Sequence, residues 1–433
     1  MVGRAADHRP GKLLVTLEPD ATRLLAARLP LGSVVISATN GKTTTTSLTV
    51  AVLRAGGLIP VHNPTGANLR GGVATALAVA ARGRSRMDGD VGVFEVDEGQ
   101  LTQVVGQLDP RVILLGNLFR DQLNRYGELD RLADRWLRLC TMHAGRATLI
   151  LNADDPTVAG LGRELPGCMY FGIEDWRCGR PARDHAFDAH HCRRCDSAYR
   201  FSTFFLGHLS HYECSVCGWQ RPQPQIFADR ITVDGTGGTQ FRLCTPDGTR
   251  DIRLGLVGLH NVYNALAAAA IGHALGVQLP LIASALAASS PVWGRGERFE
   301  IAGRRITVTL VKNPAGANAF IRSLTTAHHQ LDILGVLNDR DPDARDVSWI
   351  WDADFEALAP HIRSVTCSGR RAADLALRFK YTGVPTERIA VNRDVSIALA
   401  LTLLRGGTDV HVLATYTGMF EIRSAVKRMS RPL

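Results

Sequence analysis

The stretch SVVISATNGKTTTT, residues 33–46, decides the fold. It begins with an apolar run that is typical of a buried strand, and the residues after Lys42 are compatible with a helix. In a turn of this kind, backbone N–H groups and the positive end of the helix face phosphate oxygens, and the lysine reaches the β and γ phosphates. The stretch therefore predicts a nucleoside triphosphate site that includes Thr39, Asn40, Gly41, Lys42, Thr43 and Thr44.

This loop is a shorter variant of the general P-loop. The general pattern has a glycine five residues before the Gly-Lys-Thr, and Ile36 occupies that position here. The Gly-Lys-Thr itself is intact. The Thr43 hydroxyl is therefore the expected ligand of a Mg²⁺ ion beside the phosphates.

The composition is that of a folded chain with more than one domain. At 433 residues and 45% hydrophobic content, the chain is long enough for two or three domains with their own cores. Its net charge of +9 favours anionic partners such as nucleotides, pyrophosphates or an acidic membrane surface. We expect no nucleic-acid partner, because the sequence has neither a basic arm nor an aromatic platform.

No segment is typical of a membrane span or of a secretory signal. The sequence has no apolar run of the length that crosses a bilayer, and residues 1–14 lack an apolar signal core. A cytoplasmic location is therefore expected.

Four of the nine cysteines form a recognisable pair of motifs. Two Cys-x-x-Cys turns with this separation are typical of a zinc ribbon, in which four thiolates bind one structural zinc ion. A closed site of this kind has no open position for water, so we expect it not to be catalytic. Reduced thiols or a redox pair are the alternatives, and four nearby histidines are possible substitute ligands. The cysteines are Cys192, Cys195, Cys214 and Cys217, and the histidines are His190, His191, His208 and His211.

Apolar runs typical of strands alternate with runs typical of helices, which predicts an α/β fold. The strands before the cysteine motifs are expected at residues 33–37, 58–63, 91–96, 112–117 and 147–152. The turn-rich stretch 289–300 indicates a domain boundary. The predicted organisation is a short N-terminal segment (1–32), a central ATP-binding domain (33–295) with a zinc-ribbon insertion (171–221), and a C-terminal α/β domain (296–433).

Carboxylates follow the predicted strand VGVFEV. Mg²⁺ at a phosphate loop requires a carboxylate in addition to a threonine hydroxyl. Glu95 lies in the strand, and Asp97 and Glu98 come just after it. Strand alternation puts Glu95 and Asp97 on the same face, so the pattern does not rank them.

Several segments together resemble the Mur ligase family, which joins amino acids to cell-wall precursors. The phosphate loop of that family reads Gly-Thr-Asn-Gly-Lys-Thr-Thr, and Ala38 replaces its first glycine here. The zinc insertion and the segment DVSWIWDADFE resemble the MurT family in particular, the Mur-ligase-like subunits of lipid II isoglutaminyl synthase. The other segments are HNPTGANLRGG, FEVDEG, GNLFRDQLNRYGELD, LNADDP, LHNVYNALAA and KNPAGAN.

The resemblance implies a Mur-ligase-like central P-loop ATPase domain, a separate C-terminal domain, and roles for individual residues. Lys42 would contact the phosphates, and Thr43 and Glu95 would bind Mg²⁺. Asn264 would contact the adenine. Either Arg295 or Arg298 would contact the nucleotide from the domain boundary. Asn63 and Asn68 are weaker candidates for contacts to the second substrate, since each is also a common turn residue.

The resemblance also implies a partner. Asp346 is similar to the aspartate that would complete the Cys-His pair of a GatD-like class I glutaminase subunit, where it would fix the histidine tautomer. Trp349 and Trp351 are either interface anchors or core residues. Cys367 lacks a glycine-rich nucleophile turn and a paired histidine, so we interpret it as a packed strand cysteine.

The activity implied by the resemblance is ATP-dependent amidation of the α-carboxylate of D-isoglutamate in the lipid II stem peptide, through an acyl phosphate, at the inner face of the cell membrane. Its cofactors would be ATP, Mg²⁺ and Zn²⁺. About 37 residues precede the phosphate loop, too few for a separate UDP-sugar-binding domain, so a lipid-linked substrate is expected. The alternatives are a Mur or folate-type ligase that adds an amino acid without a partner, and a non-enzymatic zinc-ribbon scaffold.

Overall fold

Two β-sheets, each with its own helices, organise the chain. The computed structural model describes residues 9–63, 67–83, 85–120, 129–181, 187–234, 238–290, 295–327, 330–343 and 345–429. Among them, the predicted α/β class is confirmed. All five predicted strands before the cysteine motifs are present, with ends shortened by up to two residues.

The first sheet has nine strands in the order β13-β12-β11-β8-β7-β6-β1-β5-β2. Its strands are β1 (Ser33–Ser37), β2 (Pro60–His62), β5 (Val91–Glu95), β6 (Val112–Leu115), β7 (Thr148–Asn152), β8 (Met169–Ile173), β11 (Ile226–Asp234), β12 (Gly238–Thr245) and β13 (Gly248–Leu254). The seven strands from β11 to β2 pair in parallel, and β12 and β13 are added to β11 by antiparallel pairing. A short hairpin, β3 (Ala81–Arg82) and β4 (Arg86–Met87), lies outside this sheet.

The helices of this part cover both faces of the sheet. They are α1 (Arg9–Leu17), α2 (Ala21–Ala26), α3 (Lys42–Ala55), α4 (Arg70–Ala80), α5 (Leu101–Leu108), α6 (Leu129–His143), α7 (Pro156–Gly160), α8 (Leu259–Ala274) and α9 (Leu279–Ala287). Alternation along β1 divides its side chains between two cores, because Val34 and Ile36 pack with α3 and α8, whereas Val35 packs with α4 and α5. The phosphate loop thus leaves the middle of the sheet, between the carboxyl ends of β5 and β6.

The cysteine motifs lie in a separate two-stranded hairpin, β9 (Tyr199–Leu206) and β10 (Leu209–Cys214). This hairpin lies between β8 and β11 in sequence. Residues 171–173 belong to β8 and pair with both β7 and β11, so they are part of the main sheet and not of the insertion.

The second sheet has six strands in the order β14-β15-β19-β16-β17-β18. They are β14 (Arg295–Ile301), β15 (Arg304–Leu310), β16 (Leu331–Val336), β17 (Ile362–Ser368), β18 (Ile389–Val391) and β19 (Asp409–Ala414). The helices are α10 (Pro314–Ala327), α11 (Ala372–Tyr381), α12 (Val395–Arg405) and α13 (Tyr416–Met429), with short 3₁₀ turns between them. In the part of the chain that the structure describes, none of the helices is long and apolar enough to cross a membrane.

Candidate nucleotide and metal site

The phosphate loop joins β1 to α3. Gly41 precedes the first turn of α3 with φ of +91°, a left-handed conformation that favours glycine. A Cβ atom here would also collide with the side-chain oxygen of Asn264. The first N–H groups of an α-helix have no partner within the helix and can bind phosphate, and Gly41 and Thr44 line the cavity described below.

Asn117, in the turn after β6, holds the loop in place. Its side-chain oxygen accepts a hydrogen bond from the Asn40 N–H at 2.9 Å, and its amide donates to the Asn40 carbonyl at 3.0 Å. The Thr39 hydroxyl accepts a hydrogen bond from the Phe119 N–H at 3.0 Å. Thr39 is 2% exposed and stabilises the loop through this contact. Asn40, Gly41 and Thr44 line the cavity described below.

Lys42 forms a buried ion pair with Glu98. Its Nζ lies 2.8 Å from a Glu98 carboxylate oxygen, and both side chains are less than 10% exposed. Burial raises the pKa of Glu98, but the charges of Lys42 and Lys312 outweigh this effect, so the pKa is lowered overall. Glu98 is therefore the anionic partner that holds the lysine at the loop.

Glu95 ends β5 and lies opposite Ile36 of β1. Val91 and Val93, on the same face of β5, pack in the core that contains α3. Alternation therefore directs the Glu95 carboxylate to the α3 face of the sheet, and Thr43 is in the first turn of α3. Asp97 lies beyond the strand and accepts a hydrogen bond from the Gly99 N–H at 3.1 Å, as in a turn. Binding of Mg²⁺ by Glu95 and Thr43 stays a prediction.

A cavity of about 340 Å³ lies between the phosphate loop and the C-terminal domain. The central domain contributes the loop, the start of α8 and the tip of the β9–β10 hairpin. The C-terminal domain contributes β15 and α10, and Lys312 lies between them. The size suits a small-molecule ligand, and the donors at the loop suit an anionic one.

Two of the other predicted nucleotide contacts, Asn264 and Arg298, line this cavity. Asn264 lines the cavity and accepts a hydrogen bond from the Thr45 hydroxyl at 3.2 Å, which places it directly against the loop. Arg298, on β14, also lines the cavity. Arg295 begins β14, but its side chain lies outside the described part of the structure.

The two asparagines predicted to contact the second substrate differ in burial. The Asn63 side chain bonds to both the N–H and the carbonyl of Glu95, at 3.0 and 2.9 Å, and donates to the Ala67 carbonyl at 2.7 Å. These bonds give Asn63 a structural role beside β5. Asn68 is half-buried, and its carbonyl accepts a hydrogen bond from the Asp97 N–H. A substrate contact by either residue stays a prediction.

The four cysteines of the two motifs come together. Their Sγ atoms all lie within 4.8 Å of one another, with Cys192–Cys217 at 3.6 Å and Cys195–Cys214 at 3.5 Å. Tetrahedral zinc with Zn–S bonds of about 2.3 Å needs sulfurs roughly 3.8 Å apart, so the set fits zinc. The Trp219 N–H and the Arg163 guanidinium lower the pKa of the Cys217 thiol to about 6, which favours the thiolate.

Two of the four candidate histidine ligands bind other groups, whereas His190 and His191 are exposed. His208 is fully buried and pairs with Asp155 at 3.0 Å, and His211 bonds to the Ile173 carbonyl at 2.9 Å. Both therefore attach the hairpin to the central domain. His190 packs against Phe187.

Asp346 lies on the surface of the C-terminal domain, where its carboxylate accepts a hydrogen bond from the Ser348 N–H at 2.8 Å. The nearby Trp351 is 48% exposed and stacks on the guanidinium of Arg378, whereas Trp349 is half-buried. Cys367 is buried inside β17, where burial raises the pKa of its thiol. The exposed carboxylate is accessible to a partner, and the cysteine is a packed strand residue.

Sequence reasoning missed several residues of the site. Asn117, Lys312 and Asn313 lie in segments that carry the family resemblance, but no pattern gave them a role. Leu206 and Leu209 line the cavity from the hairpin of the cysteine motifs, and neither residue was predicted to belong to the site. No sequence signal indicates that this hairpin reaches the cavity.

Comparisons with known proteins agree with this architecture. Residues 36–185 match the Mur ligase middle domain, and residues 310–419 match the MurT ligase C-terminal domain. Among solved structures, a pseudomurein peptide ligase type C from Methanothermus fervidus has a TM-score of 0.71 at 23% identity, covering 92% of this chain and 79% of that one. MurF ligase from Thermotoga maritima in complex with ADP has a TM-score of 0.68 at 15% identity, covering 96% and 84%.

A curated relative places the chain in a narrower family. The MurT subunit of lipid II isoglutaminyl synthase (glutamine-hydrolyzing) from Streptococcus pneumoniae is 31% identical over 420 residues, which cover 96% of this chain and 91% of that protein. The fold and the site define a ligase of the Mur type. Within that class, the chain belongs to the MurT family.

Proposed function

We propose that this chain is the ligase subunit that amidates the α-carboxylate of D-isoglutamate in the lipid II stem peptide. The main support is the cavity between the phosphate loop and the C-terminal domain, in a chain similar over nearly its whole length to a MurT subunit. The product is D-isoglutamine, and the process is peptidoglycan synthesis. Glutamine is the nitrogen source.

In the first step, an oxygen of the substrate carboxylate attacks the γ-phosphorus of ATP, and ADP leaves. Lys42 and the N–H groups at the start of α3 stabilise the charge that develops on the phosphate oxygens. Glu95 and Thr43 would hold Mg²⁺, which would supply positive charge beside the phosphates. The second step is attack by ammonia on the acyl carbon, with release of phosphate and formation of the amide.

Ammonia is produced by a partner, a class I glutaminase subunit of the GatD type, and Asp346 orients the catalytic histidine of that subunit. The exposed position of the Asp346 carboxylate supports this role, because a residue that completes a site across an interface has to be on the surface. The substrate is reached at the inner face of the membrane, where the net charge of +9 favours approach to pyrophosphate and anionic lipid.

The experiment is amidation of lipid II by the chain with the glutaminase subunit, using glutamine or ammonium as the nitrogen source. Asp346→Asn should abolish the glutamine-dependent reaction and leave the ammonium-dependent reaction intact. The neighbouring exposed acid Asp341 provides the matched control, Asp341→Asn. Glu95→Gln should abolish both reactions.

Two outcomes would overturn the proposal. Incorporation of an amino acid in place of ammonia would identify a conventional Mur or folate-type ligase. Unchanged turnover in the Glu95→Gln variant would remove the metal-dependent ATP chemistry from this site.

A further inference from the structure

The hairpin that carries the zinc ligands reaches the nucleotide cavity with its other end. Cys192 and Cys195 come shortly before β9, and Cys214 ends β10, so the thiolate cluster is at the open end of the hairpin. The turn between the strands is at the opposite end. Leu206 and Leu209, on either side of this turn, line the cavity.

The hairpin tip is fixed to the central domain by burial and by hydrogen bonds. Leu209 is 2% exposed and belongs to the core that contains α3 and α8. His208 pairs with Asp155, and the Ser210 N–H donates to the Asp154 carbonyl at 2.8 Å. Leu206 is half-buried and packs against the same core. The tip is therefore a rigid wall of the cavity.

The opposite wall is helix α10 of the C-terminal domain. Ala319 and Phe320 line the cavity from this helix. One turn away, the Arg322 guanidinium donates a hydrogen bond to the Phe205 carbonyl at 3.3 Å, so the helix and the hairpin tip are in direct contact. This part of the cavity is apolar on both sides. The phosphate loop lines a different, polar part of the cavity, where an anion can bind.

We propose that Leu206 and Leu209 form one wall of the base-binding part of the nucleotide site. The inference rests on the proposed use of ATP. If the triphosphate of ATP binds at the N-terminus of α3, the aromatic base is the apolar part of the ligand that remains to be bound. Leu206 and Leu209 provide an apolar surface for that base. The zinc-bearing hairpin is therefore a component of the nucleotide site, and zinc contributes to nucleotide affinity by holding the hairpin.

The test compares two probes by titration calorimetry, ATP and inorganic tripolyphosphate, each with Mg²⁺. Leu206→Ala should weaken ATP binding about tenfold, because contact with several carbon atoms is lost. It should leave tripolyphosphate binding unchanged, since that probe has no base. Leu206→Met should retain wild-type affinity for both probes.

Leu58→Ala is the matched control. Leu58 is also half-buried and packs against the same core as Leu206, but it does not line the cavity. It should leave both affinities unchanged, with a similar effect on stability. Equal ATP affinity in Leu206→Ala and wild type would overturn the inference, and so would an equal loss for both probes, which would indicate a general structural effect.

Zinc removal gives a second measurement. Cys195→Ser should lower zinc content and should weaken ATP binding more than tripolyphosphate binding, with the remaining fold checked by circular dichroism. Unchanged ATP affinity in the zinc-free protein would overturn the role of the metal. If the wild-type chain binds neither ATP nor tripolyphosphate, the proposed ATP-dependent function is wrong, and this inference fails with it.

Discussion

Asn40 in the phosphate loop and Asn313 in the C-terminal domain exchange two side-chain hydrogen bonds. Each amide donates to the oxygen of the other, at 3.3 and 3.1 Å. The Asn313 oxygen also accepts a hydrogen bond from the Gly316 N–H at 2.8 Å, at the start of α10. The loop that faces the phosphates is thus linked directly to the helix that forms the opposite wall of the cavity.

This pair should be energetically coupled. Asn40→Ala and Asn313→Ala should each lower the free energy of unfolding by about 1 kcal/mol, and the double variant should lose less than the sum. Denaturant unfolding of the four proteins in the cycle measures the coupling. Strictly additive losses would contradict it. Asn392→Ala, elsewhere in the C-terminal domain, should show no coupling to Asn40→Ala.

The buried Lys42–Glu98 pair leads to a second prediction. Lys42→Met removes the cation that is 2.8 Å from Glu98 and should destabilise the protein by about 3 kcal/mol, because a buried carboxylate loses its nearest partner. Adding Glu98→Gln should restore much of this loss, since the remaining group is neutral. Urea unfolding measures both changes, with the exposed Lys380→Met as the control. A double variant less stable than Lys42→Met would contradict the prediction.

The zinc site can be tested by metal content. Purified protein should contain one zinc ion per chain by elemental analysis, and Cys195→Ser or Cys217→Ser should lower this content. Cys178→Ser is the matched control, because Cys178 is a half-buried free thiol outside the cluster. Equal zinc in all three variants would show that the metal is bound elsewhere.

His208 should make stability depend on pH. Burial lowers its pKa, but the charge of Asp155 outweighs burial, and the pKa in the folded protein is raised. The unfolded value is about 6.5, so the stabilisation is complete below that pH and decreases as pH rises through the folded value.

The variant His208→Gln should therefore lose more stability at pH 6 than at pH 9. Denaturant unfolding at the two pH values measures the difference. His273→Gln, which removes a more exposed pair with Asp247, should lose less than 1 kcal/mol. A greater loss for His208→Gln at pH 9 would contradict the sign.

Much of the central domain follows from local sequence. The strand that contains Val34 and Ile36 is a continuous apolar run, and burial on both faces of a parallel sheet requires such runs. The four thiolates were predictable because the two Cys-x-x-Cys turns carry the whole signal. Both features depend on residues that are near each other in the chain.

The rest of the site depends on contacts between distant segments. Only the structure shows that Asp97 lies beyond β5 and accepts a turn hydrogen bond, and that Glu98 is the partner of Lys42. Lys312 and the hairpin leucines come to the cavity through packing of separate units. The hydrophobic periodicity of a segment does not indicate which loops come into contact in the folded protein.

Asp154 links the core of the central domain to the segment that carries the cysteine motifs. Its fully buried carboxylate accepts hydrogen bonds from the Ile173 N–H, the Tyr263 hydroxyl and the Arg221 guanidinium, and Arg221 lies just after the second zinc motif. Deleting the insertion together with Arg221 would leave an uncompensated acid in the ATPase core. A chain shortened in this way should therefore fold well only with a neutral residue at position 154, so the hairpin can be removed from this protein only together with a change in the core of the central domain.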